Sequence, residues 1–232
     1  TGVTFFPDAG AAVIPVWRFT VAPTAGFGGG TALTVNGVLE ANDDVIFSGN
    51  SNKIFRNGIT GSASVTQAAS TGKMIINGTT AVLGGIGVIN PNANGLDIGT
   101  TTNVTLSSAK TINGNIALLA NSFVALGAFD LTVTGTISGG STTSYIRTNG
   151  LGSLILNNIT APRDAPIGNS TYNPLVITNS SGHNWTLRVE DVLPTVIDPI
   201  FAANAAKALM RIWHITPSTI PTSTGADIVF QY

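Results

Sequence analysis

The chain has 232 residues, a formal net charge of −1 and 9% charged side chains, against roughly 25% in an ordinary soluble domain. So neutral a chain carries no basic footprint for nucleic acid or anionic lipid, and at 43% hydrophobic residues it is not disordered. It contains no cysteine, which excludes a disulfide framework, a thiolate metal site and a cysteine nucleophile.

Gly, Asn, Thr and Ser make up about two-fifths of the sequence, a mixture suited to short strands joined by tight turns. No stretch approaches the ~18 uninterrupted apolar residues of a membrane helix, so membrane insertion is not expected. The chain starts at Thr1 with no initiator Met or signal peptide. It reads as a mature product whose targeting segment was removed, or as an excised fragment.

The first predicted element is a half-buried strand, in which Pro15, Trp17, Phe19 and Val21 alternate with Val16, Arg18 and Thr20. Ala25 to Gly30 follows as a Gly-rich hinge, so residues 1–30 are set apart as an N-terminal strand and hinge. The Gly cluster has no following Lys-Ser/Thr and opens no helix, so it is not a phosphate loop. Trp17, Phe19 and Val21 form an apolar row that must be covered, and they are the candidate subunit interface. The strand either folds back onto its own first coil or crosses the hinge to add to a neighbouring copy.

From residue 31 to 152 an apolar residue followed by Asn-Gly recurs at Asn36-Gly37, Asn77-Gly78 and Asn113-Gly114. Asn57-Gly58 and Asn94-Gly95 are weaker copies, and Thr134-Gly135 is a variant. Positions 36, 57, 77, 94, 113 and 134 are separated by 21, 20, 17, 19 and 21 residues, a spacing that suits one solenoid coil. Gly supplies corner positions that a Cβ would disfavour, and Asn tolerates the left-handed region and can stack one coil above another. Leu33-Thr34-Val35 and Leu131-Thr132-Val133 put apolar groups inside and Thr outside. The expected fold is all-β: a right-handed β-solenoid with coils of about 20 residues, followed by a small antiparallel β domain. From Met74 to Ile146 the only charges are Asp97, Lys110 and Asp130. Either a Thr/Asn/Ser coat keeps this surface soluble, or parts of it contact other subunits.

Beyond Ser153 proline becomes frequent and the beat fades, so residues 153–232 are expected to form a sandwich-like cap. Strands are predicted over Leu175–Thr178, Trp185–Val189, Ile212–Ile215 and Asp227–Tyr232, with one helical turn over Phe201–Leu209.

Several groups are candidates for chemistry. Asn42-Asp43-Asp44 is the one compact acidic cluster of the solenoid half. It reads first as a turn, with a weak Ca²⁺ site and half of a catalytic pair as alternatives; adjacent side chains on a strand point to opposite faces, which weakens the pair. Lys53 and Arg56 are too few for a lyase's basic cluster. Glu190, Asp191 and Asp198 lack the spacing of a calcium loop and read as a polar edge. His183 and His214 have no zinc spacing, and read as a turn residue and a packed strand residue. Trp185, Trp213, Tyr145 and Tyr172 are core aromatics, with a sugar-stacking platform as the alternative. No residue is assigned to catalysis, to a metal or to a cofactor, and no enzyme activity is expected.

The segment Leu131 to Tyr232 resembles the repeat-and-cap region of large secreted surface proteins of Bacteroidota-type bacteria. The resembling phrases are LTVTGTISG (131–139), TSYIRTNGLGSLIL (143–156), the run 165–191, RIWHITPS (211–218) and GADIVFQY (225–232). The resemblance covers a little under half of the chain, with no catalytic signature. It implies a β-solenoid with a C-terminal β domain, exported and displayed or released as an adhesin or structural component.

Three readings follow. The first is an extracellular structural or adhesive surface protein, partnered by copies of itself and by surface glycans, with the N-terminal strand as the joint of a filament. The second is a carbohydrate-binding or carbohydrate-cleaving β-helix. The third is an ice-binding solenoid, which needs outward Thr in register on successive coils.

Overall fold

A computed structural model describes residues 16–19, 25–27, 32–47, 49–68, 71–179, 181–191, 210–221 and 225–231. The chain winds through six complete coils of three short strands each. The first coil is β1 (Val16–Phe19), β2 (Ala25–Phe27) and β3 (Leu33–Val35); the second is β4 (Val38–Ala41), β5 (Val45–Phe47) and β6 (Lys53–Phe55). The third holds β7 (Gly58–Thr60), β8 (Val65–Gln67) and β9 (Met74–Ile76), and the fourth β10 (Thr80–Leu83), β11 (Val88–Asn90) and β12 (Leu96–Ile98). The fifth holds β13 (Asn103–Leu106), β14 (Lys110–Ile112) and β15 (Ile116–Leu118), and the sixth β16 (Phe123–Ala125), β17 (Leu131–Val133) and β18 (Ile137–Ser138). Like strands of successive coils pair in parallel, so the solenoid has three sheets running along its length. At about 4.8 Å per coil the stack is roughly 29 Å long.

Strand parity builds the core. On the second face Val45, Val65, Ile89, Ile112, Val133 and Leu156 are registered one above another and buried. On the third, Phe55, Ile76, Ile98 and Leu118 form a second buried column. Each such aliphatic side chain contributes roughly 1.5–3 kcal/mol on leaving water. The coil length is not constant, since Val45 to Val65 spans 20 residues and Val65 to Ile89 spans 24. The additional residues lie in the corners, and the columns stay in register.

The solenoid continues past residue 153 through β19 (Tyr145–Arg147), β20 (Leu154–Ile159), β21 (Arg163–Ala165) and β22 (Ile167–Gly168); β19, β20 and β22 stay on its first two faces. Next come β23 (Leu175–Thr178), β24 (His183–Asp191), β25 (Arg211–Pro217) and β26 (Asp227–Phe230). The antiparallel region expected at the C-terminus is present, and it shares a sheet with the solenoid. β24 pairs antiparallel with β20, and β25 with β24, so the second face changes from parallel to antiparallel without a break. A separate three-stranded antiparallel sheet has the order β21-β23-β26.

The N-terminus differs from the hinge reading. β1 lies in parallel register on β4 of the same chain, Trp17 opposite Leu39 and Phe19 opposite Ala41. Gly26, expected in the hinge, sits in β2 opposite Ile46. Ladder hydrogen bonds to β4 and β5 hold both segments as the first coil. Val21, Gly28 to Gly30, Asp198 and the predicted helical turn over 201–209 lie outside the described residues.

Candidate functional site

The Asn-Gly pairs all fall in corners, but in two different ones. Asn36-Gly37, Asn57-Gly58 and Asn77-Gly78 lie between the third and first faces, whereas Asn94-Gly95, Asn113-Gly114 and Thr134-Gly135 lie between the second and third. Gly58 has φ +102°, as a left-handed corner requires. Gly78 and Gly114 do not have positive φ, which corrects the conformational reason for them. A Cβ on Gly78 would overlap the carbonyl oxygen of Arg56 one coil away, and one on Gly114 would lie 2.8 Å from Pro91 Cγ. Close approach of the neighbouring coil, by backbone at Gly78 and by the Pro91 ring at Gly114, and not φ, makes them glycine.

A polar ladder climbs the corner of the second face. Asn90 donates to Thr66 at 3.2 Å, Asn113 donates to Asn90 at 3.2 Å, and the Thr134 hydroxyl donates to Asn113 at 3.0 Å. Asn113→Ala removes two of these exposed bonds at once. We expect it to cost about 1 kcal/mol, lowering the melting temperature by about 2–4 °C in a thermal scan.

The acidic candidates are structural in their contacts. Asp43 and Asp44 sit in the corner between β4 and β5, where Asp44 Oδ1 accepts the Ser64 backbone N–H of the next coil at 2.9 Å. Glu190 accepts from Arg188 at 2.9 Å and sits 3.0 Å from His214 Nε2 on the exposed face of β24 and β25. The hydrogen bond from His214, then Arg188, holds the Glu190 carboxyl below its ordinary range. The stabilisation from this pairing is therefore present above the ordinary carboxylate pKa and is lost as pH falls through the lowered one. Asp191 faces Arg211 Nε at 3.1 Å. Among the described residues no three His, Cys, Asp or Glu side chains gather as a metal site. His183, read as a turn residue, begins β24.

The four aromatics do not share a platform. Trp185 and Tyr145 are each 3% exposed. Trp213 stacks edge-on against Phe230 at 5.1 Å, and Tyr145 lies between Phe123 at 5.0 Å and Tyr172 at 5.7 Å. The Arg147 guanidinium covers the Phe123 ring at 3.5 Å.

Two interior lysines escaped the sequence reading. Lys53 and Lys110 are 2% and 3% exposed, on inward positions of β6 and β14. Lys53 Nζ donates to the Gly49 carbonyl at 3.0 Å and to Ser51. Lys110 Nζ donates to the Gly84 carbonyl at 3.0 Å, and burial lowers its pKa to about 8. Asp97 is also buried, at 6% exposure, and its carboxylate pairs with Lys73 at 2.9 Å. Of the three charges between Met74 and Ile146, Lys110 thus lies inside the wall and Asp97 is covered by its pairing with Lys73 on the outward side of β12. The third, Asp130, is half-buried and accepts the Ser153 N–H at 2.8 Å.

Outward Thr residues are in register over two coils, Thr111 beside Thr132, and the column is flanked by Val88 and Ile155. No protein family, no characterised protein and no solved structure matches the chain.

Proposed function

We propose that the protein is an extracellular structural or adhesive element: a rigid solenoid whose wall packs against copies of itself, with its terminal strands as the joint between subunits. One observation carries this. Over the stretch 74–146, which spans three coils, the outer wall carries few charges: Lys110 is turned inward, Asp97 is covered and neutralised by Lys73, and Asp130 is a half-buried carboxylate. Surfaces left free in solution carry mixed charges that keep strands apart; this wall has almost none, so close approach of a second rod meets little repulsion. The phrase-level likeness to secreted surface proteins supports an extracellular setting.

The end strands add a route to filaments. β1 pairs with β4 and closes the first sheet, so its other edge is open to a strand from a neighbour among the described residues. A head-to-tail contact that does not close on itself yields a fibre. The test is negative-stain imaging of the purified chain and of a form lacking residues 1–24, which keeps five complete coils. Filaments from the full chain and folded single particles from the shortened one are expected. Single particles from both, or equal assembly by both, would remove the N-terminal strand as the joint.

A further inference from the structure

The third face ends early. β18 pairs with β15 on one side, and among the described residues no seventh strand follows it in that sheet. Where that strand would lie, β21 instead turns away to pair antiparallel with β23. The change of architecture leaves a cleft of about 360 Å³ between the last solenoid strand and the three-stranded sheet, lined in part by Ser138, Asp164, Pro166, Tyr172, Pro174 and Gln231. Its volume falls in the range of small-ligand sites.

The chemistry of the lining is selective. Asp164, an exposed residue at the rim, is the one charged residue lining the cleft among the described residues, and its carboxylate has no hydrogen-bond or ion-pair partner among them. The Tyr172 hydroxyl is likewise without a hydrogen bond among them. Burial, then the nearby Asp164 charge, raises the Tyr172 pKa, so the phenol stays protonated as a donor. One acceptor carboxylate and one donor hydroxyl therefore face the same space, with flat apolar faces from two prolines and the tyrosine ring. With no cation in the lining among the described residues, an anionic ligand would meet repulsion from Asp164.

We propose that this cleft binds a neutral sugar unit, Asp164 accepting hydrogen bonds from adjacent hydroxyls, Tyr172 donating one, and the proline and tyrosine faces covering the C–H side of the ring. Carboxylate acceptors and aromatic faces are the groups that recognise a ligand rich in O–H donors with one apolar side. The inference rests on the adhesive half of the proposed function, because it names what such a surface protein would hold. Assembly is read separately, since the cleft lies beside β18 on the third face, whereas the wall is tested at Thr111 and Thr132 on the second.

The experiment is a titration of the full chain with neutral hexoses and disaccharides, a uronic acid and an alkylamine, followed by backbone amide NMR shifts. Saturable binding of a neutral sugar at a dissociation constant on the order of 1 mM, with shifts confined to residues 138–140, 164–176 and 231, is expected. Asp164→Asn should weaken it about tenfold and Tyr172→Phe several-fold, at an unchanged melting temperature. No saturation with any neutral sugar would overturn the proposal. So would binding that Asp164→Asn leaves intact, or an amine preferred over sugars with strong salt dependence. Filament formation by Asp164→Asn, read in the same preparations, separates failure of the cleft from failure of the rod.

Discussion

Gly58→Val is expected to destabilise the protein by roughly 3–5 kcal/mol and to lower its melting temperature by about 10 °C. Two costs coincide at this corner. The backbone sits at φ +102°, where a β-branched residue is strongly disfavoured. A Cβ would also overlap the carbonyl oxygen, the nitrogen and the carbonyl carbon of Val82 in the next coil. Those atoms belong to a ladder that cannot shift without disturbing the registered columns above it. Gly78→Val meets the backbone overlap without the φ penalty and should cost less. Gly114→Val meets the Pro91 ring, whose carbons can yield, and should cost less again. Gly127→Ala is the control: φ is +58° but nothing lies within 4 Å of the added carbon, so about 1 kcal/mol is expected. Thermal melts check the order. Equal losses at all four sites would contradict corner stacking as the reason for glycine.

Lys110→Met should stabilise the protein, by about 2 kcal/mol at pH 7. The ammonium lies inside the solenoid with the Gly84 carbonyl as its acceptor and, among the described residues, no carboxylate in ion-pair range. Methionine fills similar volume without a charge to desolvate. The pH dependence has a definite sign. Burial puts the folded pKa at about 8, below the ordinary 10.5. At pH 7 both folded and unfolded states hold the proton, and the full penalty is present. As pH rises through 8 the folded state releases the proton while the unfolded chain keeps it, so stability increases toward pH 10.5. Lys110→Met lacks this rise, and the difference between the two denaturation series isolates it from other groups. Lys53→Met should gain less, because Lys53 donates to the Gly49 carbonyl and to the carbonyl and hydroxyl of Ser51, hydrogen bonds that methionine does not replace. A Lys110→Met variant less stable than the parent at pH 7 would refute the interior placement.

Much of the fold was legible because solenoid strands obey parity locally. Leu131-Thr132-Val133 needs only its own alternation to be read, and the structure buries its outer two residues. Leu175–Thr178 was read with the bounds it has, while Trp185–Val189 and Ile212–Ile215 proved to be the centres of longer strands. What these strands pair with was not legible. Nothing local to Trp185 says that it faces Leu156 in antiparallel register. The Asn-Gly beat found the coil but not its phase: the short 17-residue step from 77 to 94 is where the pair moves from one corner to the next. Asn-Gly reports a tight turn, and every corner needs one.

The same parity could have found the interior lysines. Lys53-Ile54-Phe55 places Lys53 on the side of Phe55, and Lys110-Thr111-Ile112 places Lys110 on the side of Ile112. Charge outweighed pattern in the reading, since lysines are rarely buried. The cleft had no such signal. Ser138, Asp164, Tyr172 and Gln231 are far apart in sequence, and they meet only because one sheet stops while its neighbours continue.

The uncharged wall is the centre of the functional account, and charging it is the most direct test. Thr111 and Thr132 are adjacent, outward and half-buried on the second face, so replacing both by Glu adds two like charges to the wall without entering the core. The measurement is sedimentation velocity of the full chain and of this double variant across a wide concentration range. The account predicts that the full chain sediments as species growing with concentration, while the double variant stays monomeric with an unchanged fold by circular dichroism. A full chain that remains monomeric throughout, or a charged variant that associates equally well, would contradict it.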